Sequence, residues 1–198
     1  MDSSLLLKEI AGFGASLVGF ADIREFAPWP RAISIALPLD PVTLKGVRAE
    51  AFPATLMAKD LEYESNLRAA FQHKMAATRA GLGFIGKSGL LITLDFGPRI
   101  RLVTIFTDLS FPTGQPILEG RCGGCRLCMQ ACPAGAIRGR EWQAGMAREE
   151  LLDAHACQRE AQRLLKERVG ADEAVCGVYI AVCPQGEKER SLKNTPKM

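Results

Sequence analysis

The first 121 residues of this 198-residue chain contain no cysteine, and all seven cysteines fall between Cys122 and Cys183. An odd count speaks against a disulfide framework. Met1-Asp2-Ser3-Ser4 also lacks the cationic start of a secretory signal. Together these point to metal-binding or redox thiols in a reducing, cytoplasmic setting. Long apolar runs are missing as well: Ile33–Leu37 and Gly89–Leu94 fall far short of the ~20 residues of a membrane span. No membrane partner is expected. A net charge of +3 is too small to imply nucleic acid by itself. Low-complexity tracts are absent. With 47% hydrophobic and 24% charged residues the chain is not disordered, and it can bury the core of one domain or of two small ones.

The break in cysteine usage divides the chain into residues 1–118, residues 119–186 and a polar C-terminal tail, 187–198. Asp108–Gly120, with two prolines and two glycines, reads as the connection. In the first part, Ser3 or Ser4 caps a helix running to Gly12 or Gly14, with Leu5, Leu6, Ile10 and Phe13 on its apolar face. Strands are expected at Leu17–Ala21 and Ala32–Leu37. A helix is expected over 66–80, stopped by Gly81. Leu90–Asp95 and Arg101–Asp108 read as two strands joined by a turn at Gly97-Pro98. The fold class is α+β rather than a regular βαβ array.

Residues 81–88 (GLGFIGKS) satisfy two phosphate-binding patterns, the dinucleotide fingerprint and the P-loop. Both require a strand before the glycines and a helix after them, so that helix N-terminal amides face the phosphate. Here the order is reversed, and a tight helix-to-strand turn accounts for the glycines better.

The run Cys122-x-x-Cys125-x-x-Cys128-x-x-x-Cys132-Pro133 has the spacing of bacterial ferredoxins. Three thiolates at two-residue gaps wrap three corners of one iron–sulfur cube. The fourth, beside proline, points to a second cube. Structural zinc prefers thiolate pairs separated by a longer loop. Pro133 suits the first position of a short helix through Ala134–Ile137. Cys183-Pro184 repeats the ending, so Cys183 is the natural fourth ligand for the cube of Cys122, Cys125 and Cys128. Cys132 is left for the other cube, with Cys157 and Cys176 as its remaining candidates; free cysteine is often simply buried, but their position between two Cys-Pro steps favours the ligand role. Two all-thiolate cubes need eight cysteines. A cysteine at 179 would complete C-x-x-C-x-x-x-C-P, and Tyr179 stands there instead. The second site is therefore expected to hold a three-iron cluster, a four-iron cluster with one non-thiolate ligand, or none. Tyrosine ligates iron in some haem sites, but packing against the cluster is its simpler role.

Leu17–Ala21, Arg79–Ser88, Arg101–Asp108, Cys122–Ile137 and Cys176–Pro184 together resemble the epoxyqueuosine reductase family and its short double-cluster relatives. The resemblance implies a truncated nitroreductase-like α/β part followed by a bacterial ferredoxin-like module with two [4Fe-4S] clusters. It also implies the same ligand sets: Cys122, Cys125, Cys128 and Cys183 for one, and Cys132, Cys157 and Cys176, with Tyr179 at the fourth place, for the other. The family's full-length enzymes bind cobalamin and reduce an epoxide in a modified tRNA base, which makes Lys87 and Ser88 the candidates for a corrinoid or flavin pocket. Only about thirty residues separate Leu37 from Asn66, where those enzymes have a longer region. Asp60, Glu62 and Tyr63 are the local candidates for the acid and aromatic roles of that region, and they read more simply as exposed loop residues, so epoxide reduction is not carried over.

His73 reads as a surface or interface residue, and His155 as a packing residue or a hydrogen-bond donor to a cluster sulfur. Trp29 and Trp142 read as core or domain-contact residues. Three functions then compete. The first is a single-electron iron–sulfur carrier working with a redox partner protein. The second is a reductase passing electrons from its clusters to a corrinoid or flavin. The third is a tRNA-binding protein with structural clusters, for which the tail's Lys188, Arg190, Lys193 and Lys197 offer little, being diluted by Glu187 and Glu189.

Overall fold

A computed structural model describes residues 3–39, 67 and 71–186. Asp60, Glu62, Tyr63, residues 66 and 68–70 of the expected helix 66–80, and the tail 187–198 lie outside the described residues; of the rest of that helix, His73–Arg79 is helical and Phe71 and Gln72 are not. The elements are α1 (Ser3–Gly12), β1 (Leu17–Asp22), β2 (Arg31–Pro38), α2 (His73–Arg79), β3 (Phe84–Ile85), β4 (Leu91–Ile92), β5 (Ile100–Thr107), α3 (Leu127–Ala131), α4 (Arg148–Leu151), α5 (Ala154–Val169) and α6 (Val178–Val182). The architecture is mixed α+β.

β2 is the middle strand of a three-stranded sheet and runs antiparallel to both β1 and β5. Its position explains its sequence: Ala32 through Ala36 are buried consecutively because both sheet faces are covered. On one face Ile33 and Ile35 meet Phe20 and Phe111, with Leu6, Leu7 and Ile10 of α1 packed over them. On the other, Ala32 and Ala21 meet Ala76 and Ala80 of the α2 region. Small residues there let α2 approach the sheet closely. In α1 it is Leu7, beside Leu6 and Ile10, that faces the sheet. Leu5 and Phe13, expected on that face, point outward, Phe13 being 87% exposed.

The two strands expected on either side of the Gly97-Pro98 turn do not pair with each other. β4 is only two residues long and pairs with β3, whereas β5 crosses back to β2. Gly81, at φ +74°, follows the last turn of α2 and redirects the chain into β3. Gly81 and Gly83 thus lie in a helix-to-strand turn, as the reversed order predicts, whereas Gly86 lies beyond β3.

The connection after β5 is built into the core rather than slung outside it. Phe111 is buried and stacks on Phe20 with ring centroids 4.6 Å apart. The Ile117 amide donates to the Thr78 carbonyl and the Gly114 amide to that of Phe20. Farther on, Trp142 and Leu151 share one apolar cluster with Ala77, Ile85 and Leu91. Burying an indole removes roughly 150–250 Å² from water, worth about 4–6 kcal/mol. The described residues on either side of position 118 therefore share a core. Trp142 is the contact residue expected of it, at 3% exposed; Trp29 is half exposed and stacks on Phe106.

Candidate iron–sulfur centre

All seven cysteines are free thiols and half-buried. The backbone that presents them follows from two Cys-Pro steps. A proline forces the preceding residue into extended conformation. Cys132 (φ −71°, ψ 112°) and Cys183 (φ −66°, ψ 125°) both obey, and each ends a five-residue helix, α3 and α6. The two helices correspond position by position: Cys125 to Cys176, Cys128 to Tyr179, Cys132 to Cys183. The short helix thus precedes Cys132; the helix expected over Ala134–Ile137 is replaced by a turn, in which the Ala136 amide donates to Cys132 Sγ at 3.4 Å.

The thiols fall into two groups. Cys122 lies within electrostatic reach of Cys128 and Cys183, and Cys128 within reach of Cys125 and Cys183. Cys157 lies within reach of Cys176 and Cys132, and Cys176 within reach of Cys132. Among the described residues no three His, Cys, Asp or Glu side chains converge on a single-ion site. Burial, reinforced by neighbouring thiols, raises Cys122 and Cys128 above the usual thiol range. Burial, then Cys176 and Cys132, pushes Cys157 up to about 11. Cys176 is raised by burial, against the Val178 amide that favours its thiolate. Soft donors crowded together, costly to ionise alone and aimed at by backbone amides, are the donor set an iron–sulfur cluster needs. The residues present fit such a group.

The group of three lines a cleft with Pro133, Ala134, Ile137, Leu152, Ala161, Glu160 and Tyr179. Tyr179 therefore stands beside the three thiols, as the motif spacing expects. Glu160 had no sequence signal beyond its position one turn after Cys157. A bidentate pair with Arg163 occupies its carboxylate. Asp153 caps α5, which carries Cys157, by accepting from the Ala156 amide at 2.9 Å. His155 is exposed on α5.

The group of four is held from the other part of the chain. Gly86 has no room for a side chain: a Cβ there would lie 3.3 Å from Cys122 Sγ and closer still to Ile92. The Lys87 amide donates to the Cys122 sulfur. Its buried ammonium donates to the carbonyls of Gly123 (2.5 Å) and Cys125 (3.3 Å) and lies 3.6 Å from Glu141 Oε2. Glu141 Oε1 accepts the Cys122 amide at 2.6 Å. Arg99, 5% exposed, donates to the carbonyls of Ile180 (3.3 Å), Cys183 (3.0 Å) and Gln185. Sequence reasoning missed Arg99 and Glu141, because both act on backbone distant in sequence.

A second cavity, of about 360 Å³, is lined by Glu25, Phe26, Phe71, Gln72, Met75, Arg79, Trp142, Gly145 and Met146. Lys87 and Ser88 are buried and line neither cavity. His73 is structural: Nδ1 meets Thr104 Oγ1 at 3.0 Å, joining α2 to β5.

Thiols gathered in this way make the chain an iron–sulfur protein, and residues 121–186 match the 4Fe-4S double cluster binding domain family. The chain is also a homologue of the epoxyqueuosine reductases. It is 30% identical to that of Bacillus cereus over 155 residues, which cover 76% of this chain and 40% of the relative. The chain thus spans less than half the length of that curated protein. Its fold is similar to an epoxyqueuosine reductase solved with an epoxyqueuosine-modified tRNA stem loop (TM-score 0.60, 16% identity, 91% of this chain and 64% of the other). It is also similar to a reductive dehalogenase whose structure suggests a B12-dependent mechanism (TM-score 0.56, 19% identity, 91% and 32%). Among the described residues no helix is long and apolar enough to cross a membrane.

Proposed function

We propose that this chain is a single-electron carrier with one complete [4Fe-4S] cluster on Cys122, Cys125, Cys128 and Cys183. A second, atypical cluster is held by Cys132, Cys157 and Cys176, with Tyr179 in place of a fourth thiolate. On this reading residues 119–186 are a ferredoxin-like module, residues 1–118 are a nitroreductase-like part that covers it, and a redox partner protein docks to exchange electrons. The observation that carries the reading is the division of seven thiols into four and three at corresponding ends of two matching helices. A cluster of this kind supplies a one-electron couple. The chain's own residues orient the thiolates through the Cys-Pro turns, direct amides at the sulfurs and keep water out with Ile137, Leu152 and Ala161. Anaerobic iron and sulfide counting with EPR tests it. One all-thiolate cube plus a spectroscopically distinct second site is the expected result. Eight irons held stably, with the spectrum of two all-thiolate cubes, removes the atypical corner; a single mononuclear metal removes the reading.

A second reading, a reductase, rests on the cavity between the aromatic and methionine side chains. Its size falls in the range of small-molecule sites. Arg79 bonds Glu25 at 2.7 Å with one guanidinium nitrogen, while the buried Nη1 has no hydrogen-bond partner among the described residues. Stoichiometric corrinoid or flavin bands in anaerobically purified protein would support it, as would tRNA retention that depends on cluster reduction. Iron–sulfur absorbance alone, with no reduction of an added acceptor of either class, would exclude it.

A further inference from the structure

The two thiol groups differ most in the charges that surround them. Around the group of four stand two cations from outside the cysteine-bearing segment, both largely removed from water. Lys87 bridges two carbonyls of the Cys122–Cys125 loop, and Arg99 gathers three carbonyls at the end of α6 and its Cys183-Pro184 turn. The Ile180 carbonyl is one of the acceptors that the C-terminus of α6 leaves without an amide. A carboxylate also stands at the group of four: Glu141, 37% exposed, is shared between Lys87 and the Cys122 amide. The group of three is set differently. Glu160 lines its cleft and Asp153 acts on Cys157, with Arg168 acting on Cys176 from the end of α5. Amide donors to sulfur occur at both groups and do not separate them.

Each one-electron reduction makes an already anionic cluster more negative, and a fixed cation in a low-dielectric setting favours that step more than one in water does. We propose that Lys87 and Arg99 are positioning residues that clamp the loops presenting Cys122, Cys125 and Cys183 and hold the cluster there at a higher reduction potential than its neighbour. This rests on the ligand sets proposed above. An electron on the Cys132, Cys157 and Cys176 side then passes downhill to the Cys122 side, next to β3, β4 and the rest of the first part. The Cys122–Cys125 loop and the Cys183-Pro184 turn, 58 positions apart in sequence (183 − 125), are thereby held by cations of the first part.

The test is an EPR-monitored redox titration of the full chain, loaded anaerobically. Cys122→Ser first identifies which signal belongs to the group of four; if neither signal changes, the ligand reading fails independently of the clamp. Lys87→Gln should then shift the reduction equilibrium of that signal at least tenfold towards the oxidised form, about 59 mV for a one-electron couple, and leave the other signal in place. Lys87→Arg should restore most of it. Arg99→Gln should shift the same signal in the same direction. Glu141→Gln, which keeps an oxygen for the Cys122 amide but removes a negative charge, should move it the opposite way. If Lys87→Gln fails to retain iron, Glu141→Gln decides: an upward shift confined to the group of four upholds the proposal, and no shift or a downward one overturns it. Equal movement of both signals in Lys87→Gln, or none, overturns it as well.

Discussion

The two thiol groups occupy corresponding ends of matching helices, yet one is supported from across the molecule and the other from its own neighbourhood. Cys122, Cys125, Cys128 and Cys183 are gathered by Gly86, Lys87, Arg99 and Glu141. Cys132, Cys157 and Cys176 are gathered by the turn after Pro133, by α5 with its Asp153 cap, and by the cleft that Tyr179 lines. The lesson is that an internal repeat reproduces backbone without reproducing environment. The same Cys-Pro step serves a site enclosed by distant cations in one copy and a locally built, three-thiol site in the other.

The sharpest way to break the comparison is to remove a ligand that only the tertiary structure delivers. Cys183→Ser, remote from the main cysteine run, is expected to abolish the cluster of Cys122, Cys125 and Cys128 and leave the other EPR signal. Loss of the Cys132-side signal instead would reverse the assignment. Trp142→Ala comes next. Its indole packs in the core shared across position 118, so truncation is expected to cost about 3–5 kcal/mol. Denaturant unfolding should show a single, weakened transition; two transitions with only one moved would mean that the parts fold separately.

Tyr179→Cys addresses the asymmetry itself. Converting the position equivalent to Cys128 is expected to make the second site resemble the first, with iron retained longer in air and a spectrum closer to two all-thiolate cubes. An unchanged iron content and spectrum would mean that Tyr179 does not occupy the open corner. The smallest effect concerns pH. Cys157 is raised to about 11 in the folded, cluster-free protein, whereas an ordinary thiol ionises near 9.0. The unfolded chain therefore gives up its proton first. That contribution to stability is full below about pH 9 and is lost as pH rises through about 11. Unfolding midpoints of the cluster-free protein should fall across that window. The loaded protein, whose thiolates are already ionised, should lack this slope.

Much of this was legible in the chain. The ferredoxin spacing, the second Cys-Pro step and Tyr179 at the vacant position could be read because proline geometry and two-residue gaps are local constraints. β1 and β2 were legible from apolar runs, since burial leaves that pattern in composition, and β5 from its β-branched residues after Pro98. The pairing of β5 was not. Gly97-Pro98 marks a turn between two strands without saying what they pair with; β2 offers β5 an eight-residue antiparallel partner and β4 offers two residues. Nor could Lys87 be placed: the family resemblance offered it for a cofactor pocket, and its partners are the carbonyls of a loop 36 residues away.

By itself, then, the sequence determined the kind of chemistry and the number of thiols available to each site, because ligand identity and turn geometry are properties of short segments. Only the tertiary structure decided what surrounds each site. Arg99 reaches Cys183 and Lys87 reaches Cys125 because packing of the shared core brings them there. Electrostatics acts through space, and the distances that set its strength exist only once the chain has folded.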